Sequence, residues 1–200
     1  MDGGAERNRA YWGLQLTKTI LTSAVAAAAL LSGSAFAQNN QLSYDLSAQV
    51  SSVCGVYNST GSSIDVDFGD LSNTETTATV EQSAGTASYA CNSPNGFTRT
   101  ISSTNGGYLY RSGTNGGTQN QIAYEMRHTG TNGLTMNWTQ LTGAANADLS
   151  GNSFLTGVTG NVDFRVYGVR STNASADGAS YTSVFAGDYS DVVTITVTAK

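Results

Sequence analysis

Gly187-Asp188-Tyr189-Ser190-Asp191 runs into Val192-Val193-Thr194-Ile195-Thr196-Val197-Thr198-Ala199, and Lys200 alone follows in the sequence given. Val193, Ile195, Val197 and Ala199 share one face of this run; Val192, Thr194, Thr196 and Thr198 share the other. That period-two pattern belongs to a strand that buries one side. In a β-sandwich such a strand is flanked on both sides, and no later segment supplies one flank. The expectation is a β fold in which the source of that missing flank bears on function.

The N-terminus reads as a leader to be set aside before fold reasoning. Lys18 precedes an apolar run from Ile20 to Leu31, and Ala35-Phe36-Ala37 is a small-residue cleavage site ahead of Gln38, the layout of a secretory signal. The run falls short of the roughly 20 apolar residues of a transmembrane helix. The predicted division is therefore a removed signal, 1–37, followed by an exported chain. The stretch from Met1 to Thr17 is long for a leader, and an upstream start codon explains it as well as an extension does. Losing Arg7, Arg9 and Lys18 takes the basic residues from 9 to 6, and losing Asp2 and Glu6 takes the acidic ones from 14 to 12. The remaining charge of about −6, with no Lys/Arg cluster, argues against nucleic acid. Cys54 and Cys91 are the two cysteines, and in an oxidising compartment one disulfide is the expected state.

Strand patterns fill the exported part. Leu42, Tyr44, Leu46, Ala48 and Val50 alternate with Ser43, Asp45, Ser47 and Gln49; Ile64, Val66 and Phe68 alternate with Asp65 and Asp67 before Gly69. Residues 70–85 read as a Thr-rich loop. Further strands are expected over 86–91, 97–103, 108–111, 122–127 and 136–141, the last around Trp138. The stretch 142–160 reads as a surface loop, 161–171 as the best interior strand, and 171–183 as loop again. Thr-Asn-Gly recurs at 104–106, 114–116 and 131–133, and Asn-Gly suits tight turns. No amphipathic helix is evident after Ala37. Short strands separated by Gly/Asn/Ser turns predict an antiparallel β-sandwich.

Catalytic chemistry finds little footing. His128 is the single histidine; without a Gly-x-Ser-x-Gly elbow it reads as a solvated residue at a strand end. Asp65, Asp67 and Asp70 lack the Gly and terminal Glu of a calcium loop, so an exposed strand face is the better account. No metal, cofactor or catalytic residue is assigned. Tyr108, Tyr110, Tyr124, Trp138, Tyr167 and Tyr181 could line a sugar-binding face, but in a sandwich most are expected to be core.

The alternating strand ending at Cys54, Phe68-Gly69, Tyr89 with Cys91, Tyr124 on a strand, the 162–168 strand and Gly187-x-Tyr189-x-Asp191 before the last strand together resemble the spore coat protein U domain. That is the family of archaic chaperone/usher pilins with Csu-type pilus subunits, and the resemblance runs from about Leu42 to Ala199. It implies an incomplete immunoglobulin-like sandwich, all-β, that is completed by a donor strand from another molecule. On this reading Leu42, Tyr44, Leu46, Ala48 and Val50 are the donor row within a segment 38–50, and residues 51–200 are the pilin domain. Val193, Ile195, Val197 and Ala199 form one wall of the acceptor groove. The implied partners are a periplasmic chaperone, an outer-membrane usher and other pilin copies, with export to the cell surface and roles in adhesion and biofilm. Lys200 and the Gly/Asn/Thr-rich stretch 104–120 depart from the family pattern. A secreted coat protein of the same fold and a self-complete carbohydrate-binding module are the competing readings.

Overall fold

The computed structural model describes residues 41–59, 61–171 and 181–200; the expected signal segment and most of the polar stretch 171–183 lie outside them. The chain divides into two compact units, Met1–Ser47 and Ala48–Lys200. Of the first, residues 41–47 are described; they are exposed and belong to no strand or helix.

In the second unit the described residues form β1 (Cys54–Tyr57), β2 (Thr79–Cys91), β3 (Phe97–Ser103), β4 (Tyr108–Arg111), β5 (Gln121–Thr129), β6 (Met136–Thr139), β7 (Ala145–Leu149), β8 (Val158–Tyr167), β9 (Tyr189–Ser190) and β10 (Val193–Ala199). A single 3-10 turn, Asn152–Leu155, is their only helical element. One sheet runs β1-β2-β8-β5-β4-β9 with β6 also paired to β5, and the other runs β10-β3-β7. Every pairing between strands is antiparallel.

The alternation in the sequence decides which side of each strand faces in. On β5, Ile122, Tyr124, Met126 and His128 point to the core and the residues between them outward. Tyr89 and Cys91 from β2, Val158 and Val162 from β8, and Met126 from β5 meet Phe97 and Ile101 of β3 and Leu149 of β7, and the half-buried Val193, Ile195 and Val197 of β10 pack against them. Phe154, on the 3-10 turn, closes this cluster edge-to-face on Phe97 at 5.0 Å. A second cluster holds Leu71, Ile122, Tyr124, Val166 and Val169, and Phe164 and Val193 pack against both. The expected all-β antiparallel sandwich is what the two sheets make. Cys54 and Cys91 are disulfide-bonded, tying β1 to the end of β2, where the two residues are register partners.

Several local expectations are corrected. Residues 63–70 form no strand, although Val66 and Phe68 turn toward the core and Asp65 and Asp67 outward; their alternation lacks a strand to pair with. β2 starts at Thr79, inside the expected loop, because Thr79 to Ser83 pair with Tyr167 to Asp163 before a register shift between Ser83 and Thr86. β7 emerges from the expected loop 142–160, held by Ile101 to Phe97 on β3 despite its small side chains. The predicted strand 42–50 is absent, since no neighbouring strand pairs with it.

Candidate functional site

A cleft of about 1200 Å³ opens on the second unit. Its apolar lining comes from both core clusters, with Val56 and Ala87 beside Met126, Val162 and Phe164, and with Val193 and Ile195 along one wall. These side chains converge because the strands that carry them alternate in and out, and the open sheet edges leave their inner faces uncovered. Among the described residues β10 pairs with β3 alone, and β1 approaches it without a ladder pairing, so the other edge of this seven-residue strand joins no sheet. At about 3.3 Å per residue that edge is roughly 23 Å long. Open edges of this kind are pairing templates. Segment 63–70 lines the same cleft, presenting Ile64, Val66 and Phe68 from a backbone that joins no sheet.

The wall formed by β10 is fixed in place by the residues just before it. Asp191 accepts from Tyr124 Oη at 2.6 Å and Ser103 Oγ at 2.5 Å through one carboxylate oxygen, and from the Asn105 N–H at 3.0 Å and Val192 N–H at 2.7 Å through the other. Burial, reinforced by the Asp191 carboxylate, pushes the Tyr124 phenol well above its usual range. Tyr189 donates to the Phe185 carbonyl at 2.6 Å. Gly187 takes φ 149°, a value that L side chains rarely adopt. The Gly-x-Tyr-x-Asp sequence is thus a local clamp that sets where β10 begins against β3.

Of the wall residues expected from the sequence, Val193, Ile195 and Val197 are half-buried and Ala199 is exposed. Val193 and Ile195 line the cleft; Val197 and Ala199 lie beyond its lining, opposite Arg99 and Phe97. Lys200 is tied back by its N–H to the Gly96 carbonyl and by its ammonium to Asp148 at 3.1 Å. In the candidate donor row, Leu42 is 76% exposed, Tyr44 77%, Leu46 93% and Val50 84%, and Ala48 is exposed as well.

His128 is not the solvated residue expected. It is fully buried on the core face of β5, with Nε2 3.0 Å from Tyr89 Oη. Gly160 on β8 makes its room: a Cβ there would come 2.3 Å from His128 Cε1 and 2.5 Å from the Thr129 carbonyl. Sequence reasoning missed Arg99, which occupies a core position of β3 between Phe97 and Ile101 and donates to the Leu134 carbonyl at 2.7 Å. Among the described residues, Arg99 Nε and His128 Nδ1 have no partner. Burial first, then the Arg99 charge, lowers the His128 pKa to about 4. Among the described residues no serine or carboxylate is hydrogen-bonded to this histidine, and they contain no group of three metal-ligating side chains.

The aromatics divide differently from expectation. Tyr124 is core; Tyr108, Tyr110 and Trp138 are half-buried; Tyr167 and Tyr181 are exposed. Trp138 sits on the outward face, its ring centroid 4.5 Å from the Arg127 guanidinium carbon and 4.6 Å from that of Arg165. Asp163 pairs with Arg127 at 3.0 Å and Glu125 with Arg165 at 2.5 Å.

No family model matches the chain, and no curated protein does. Among solved structures the chain is similar to one described as a chaperone-tip adhesin complex vital for synergistic activation of CFA/I fimbriae biogenesis, with a TM-score of 0.40 and 13% identity. The likeness takes in 74% of this chain and 42% of that one, so the chain spans less than half of its length. Among the described residues no helix is long and apolar enough to cross a membrane.

Proposed function

We propose that this chain is a structural, non-enzymatic subunit of a surface pilus, exported through the periplasm and assembled by a chaperone and an outer-membrane usher through donor-strand complementation. The observation that carries the reading is the apolar cleft bounded by an unpaired strand edge in a chain that also holds an exposed alternating apolar row, Leu42 to Val50. A cleft with open main-chain groups on its wall is suited to a strand, because added backbone bonds give affinity and alternate side chains filling the floor give register. Leu42, Tyr44, Leu46, Ala48 and Val50 are the row this subunit would offer to a neighbour. Each large side chain so buried would contribute about 1.5 to 3 kcal/mol at the upper range.

The test compares periplasmic protein with and without residues 38–50, each with and without a co-produced cognate chaperone, by size-exclusion chromatography. The full chain should form a one-to-one complex with the chaperone and convert to polymers, while the shortened chain should bind the chaperone and never polymerise. A stable monomer from both, indifferent to the chaperone, would identify a self-complete module and overturn the proposal.

A further inference from the structure

The cleft carries a charge bias that selects among strands. Its lining includes Asp65, Asp67, Asp70, Asp188 and the hydrogen-bonded Asp191 and no Lys, Arg or His. The ion pairs among the described residues lie elsewhere, at Arg127 with Asp163, Arg165 with Glu125, and Lys200 with Asp148. Arg111 lies at one end, its guanidinium carbon 5.6 Å from the Phe185 ring, and Arg170 is bridged through its backbone to Thr182 of the lining. Asp65 and Asp67 occupy the outward positions of the segment whose Ile64, Val66 and Phe68 line the cleft. Asp67 holds the Gly69 N–H at 2.8 Å and Asp70 the Ser72 N–H at 2.9 Å, and the latter bond keeps the Asp70 carboxyl below its ordinary pKa.

A strand that enters the cleft with its apolar row inward turns its alternate residues outward, toward a lining that carries Asp65, Asp67, Asp70 and Asp188. Directly opposed unlike charges stabilise a strand pair and like charges destabilise it. The chain's own candidate row fits this poorly. Between Gln38 and Val53 the single charged residue is Asp45, which lies on the outward face with Ser43, Ser47 and Gln49.

Resting on the reading of the cleft as a strand acceptor, we propose that its preferred occupant is a strand of a different protein, apolar at alternate positions and bearing Lys or Arg between them, and that a second copy of this chain is a disfavoured occupant. Exposed pairs change affinity by only a few-fold each, so two or three acting together give about ten-fold. Such rim charges act chiefly on the association rate and are screened as salt rises.

Three fluorescein-labelled peptides test this on the full exported chain by anisotropy, in 20 mM and 500 mM NaCl. One alternates Leu with Lys, one alternates Leu with Glu, and one is residues 40–51 of this chain. The Lys peptide should bind about ten-fold or more tightly than the other two at low salt. That margin should shrink to about two-fold at high salt and in the Asp65→Asn/Asp67→Asn variant, whose changes lie at exposed positions. Equal binding of the Lys and Glu peptides, or tighter binding of the Glu or native peptide, would overturn the charge inference while leaving the strand acceptor intact. A Lys preference untouched by Asp65→Asn/Asp67→Asn would place its source outside the cleft and equally overturn it. Binding by none of the three would remove the acceptor reading itself, and the inference with it.

Discussion

Arg99, His128 and Tyr89 put ionisable groups where an apolar core would serve stability better. Arg99 brings its guanidinium to a 3% exposed position with one carbonyl partner, and His128 stays neutral beside it because burial disfavours its charged form first and the Arg99 charge opposes it second. Asp163, the carboxylate acting on the imidazole from β8, only partly offsets that opposition. The folded pKa of about 4 lies below the ordinary 6.5, so the unfolded chain binds the proton more readily. The resulting stability is present in full above pH 6.5 and is lost as pH falls toward 4. A shift of this size corresponds to about 3 kcal/mol. Urea midpoints should be level from pH 8 to 7 and fall steadily between pH 6.5 and 4.5, above the range in which ordinary carboxylates titrate. A midpoint that is flat across that interval would show that His128 protonates without cost. None of this was legible in the sequence: Arg99 sits in Phe97-Thr98-Arg99-Thr100-Ile101 as any outward arginine does near a strand end. The one pointer to the histidine was Gly160, a side-chain-free position between Val158 and Val162 on the inward face, and its meaning depends on β5 lying next to β8.

At the scale of elements, strands whose alternation is written in large side chains were legible. β10, β8 and β5 fall within a few residues of their expected spans because Val, Ile, Phe, Tyr and Met mark one face of each. β7, reading Ala-Asn-Ala-Asp-Leu, carries no such mark and exists because β3 offers it a partner. Segments 42–50 and 63–70 are the reverse case, with alternation and no strand, since neither is paired with another strand of the described chain. In the candidate site, the β10 strand could be read from the sequence, though only Val193 and Ile195 of its expected row line the cleft; the floor could not, because it is assembled from strands distant along the chain. The donor role assigned to 42–50 makes a prediction about position. Leu46 is 93% exposed, so Leu46→Asp should leave the melting temperature of the subunit unchanged and its chaperone complex intact, yet block fibre growth. Ser47→Asp, one residue along and on the other face, should still form fibres, slowed only by the few-fold cost of one exposed like charge. Electron microscopy of assembled fibres distinguishes the two. Loss of the chaperone complex in Leu46→Asp would move this segment into the subunit's own sheet.

At the scale of the whole molecule, a covalent tie lies at an end where β1 has one ladder partner. β1 is short and paired on one side by β2, and the disulfide closes a loop with a sequence separation of 37 across the same irregular region that contributes Ile64, Val66 and Phe68 to the cleft. Closing a loop of that size contributes about 4 kcal/mol on the chain-entropy model. The double variant Cys54→Ser/Cys91→Ser should lose roughly 2 to 5 kcal/mol in urea unfolding, and dithiothreitol should lower the wild type to the same midpoint. A variant as stable as the oxidised protein would show that the two sheets hold this end without the bond. The outward face offers a different kind of consequence. In the exported form proposed above, which lacks residues 1–37 and with them Trp12, Trp138 is the one tryptophan, flanked by two guanidiniums on strands β5 and β8 and absent from the cleft lining. Its emission is therefore a private optical gauge of that sheet: unfolding will change its colour, while a strand sliding into the cleft on the other side leaves it dark to the event.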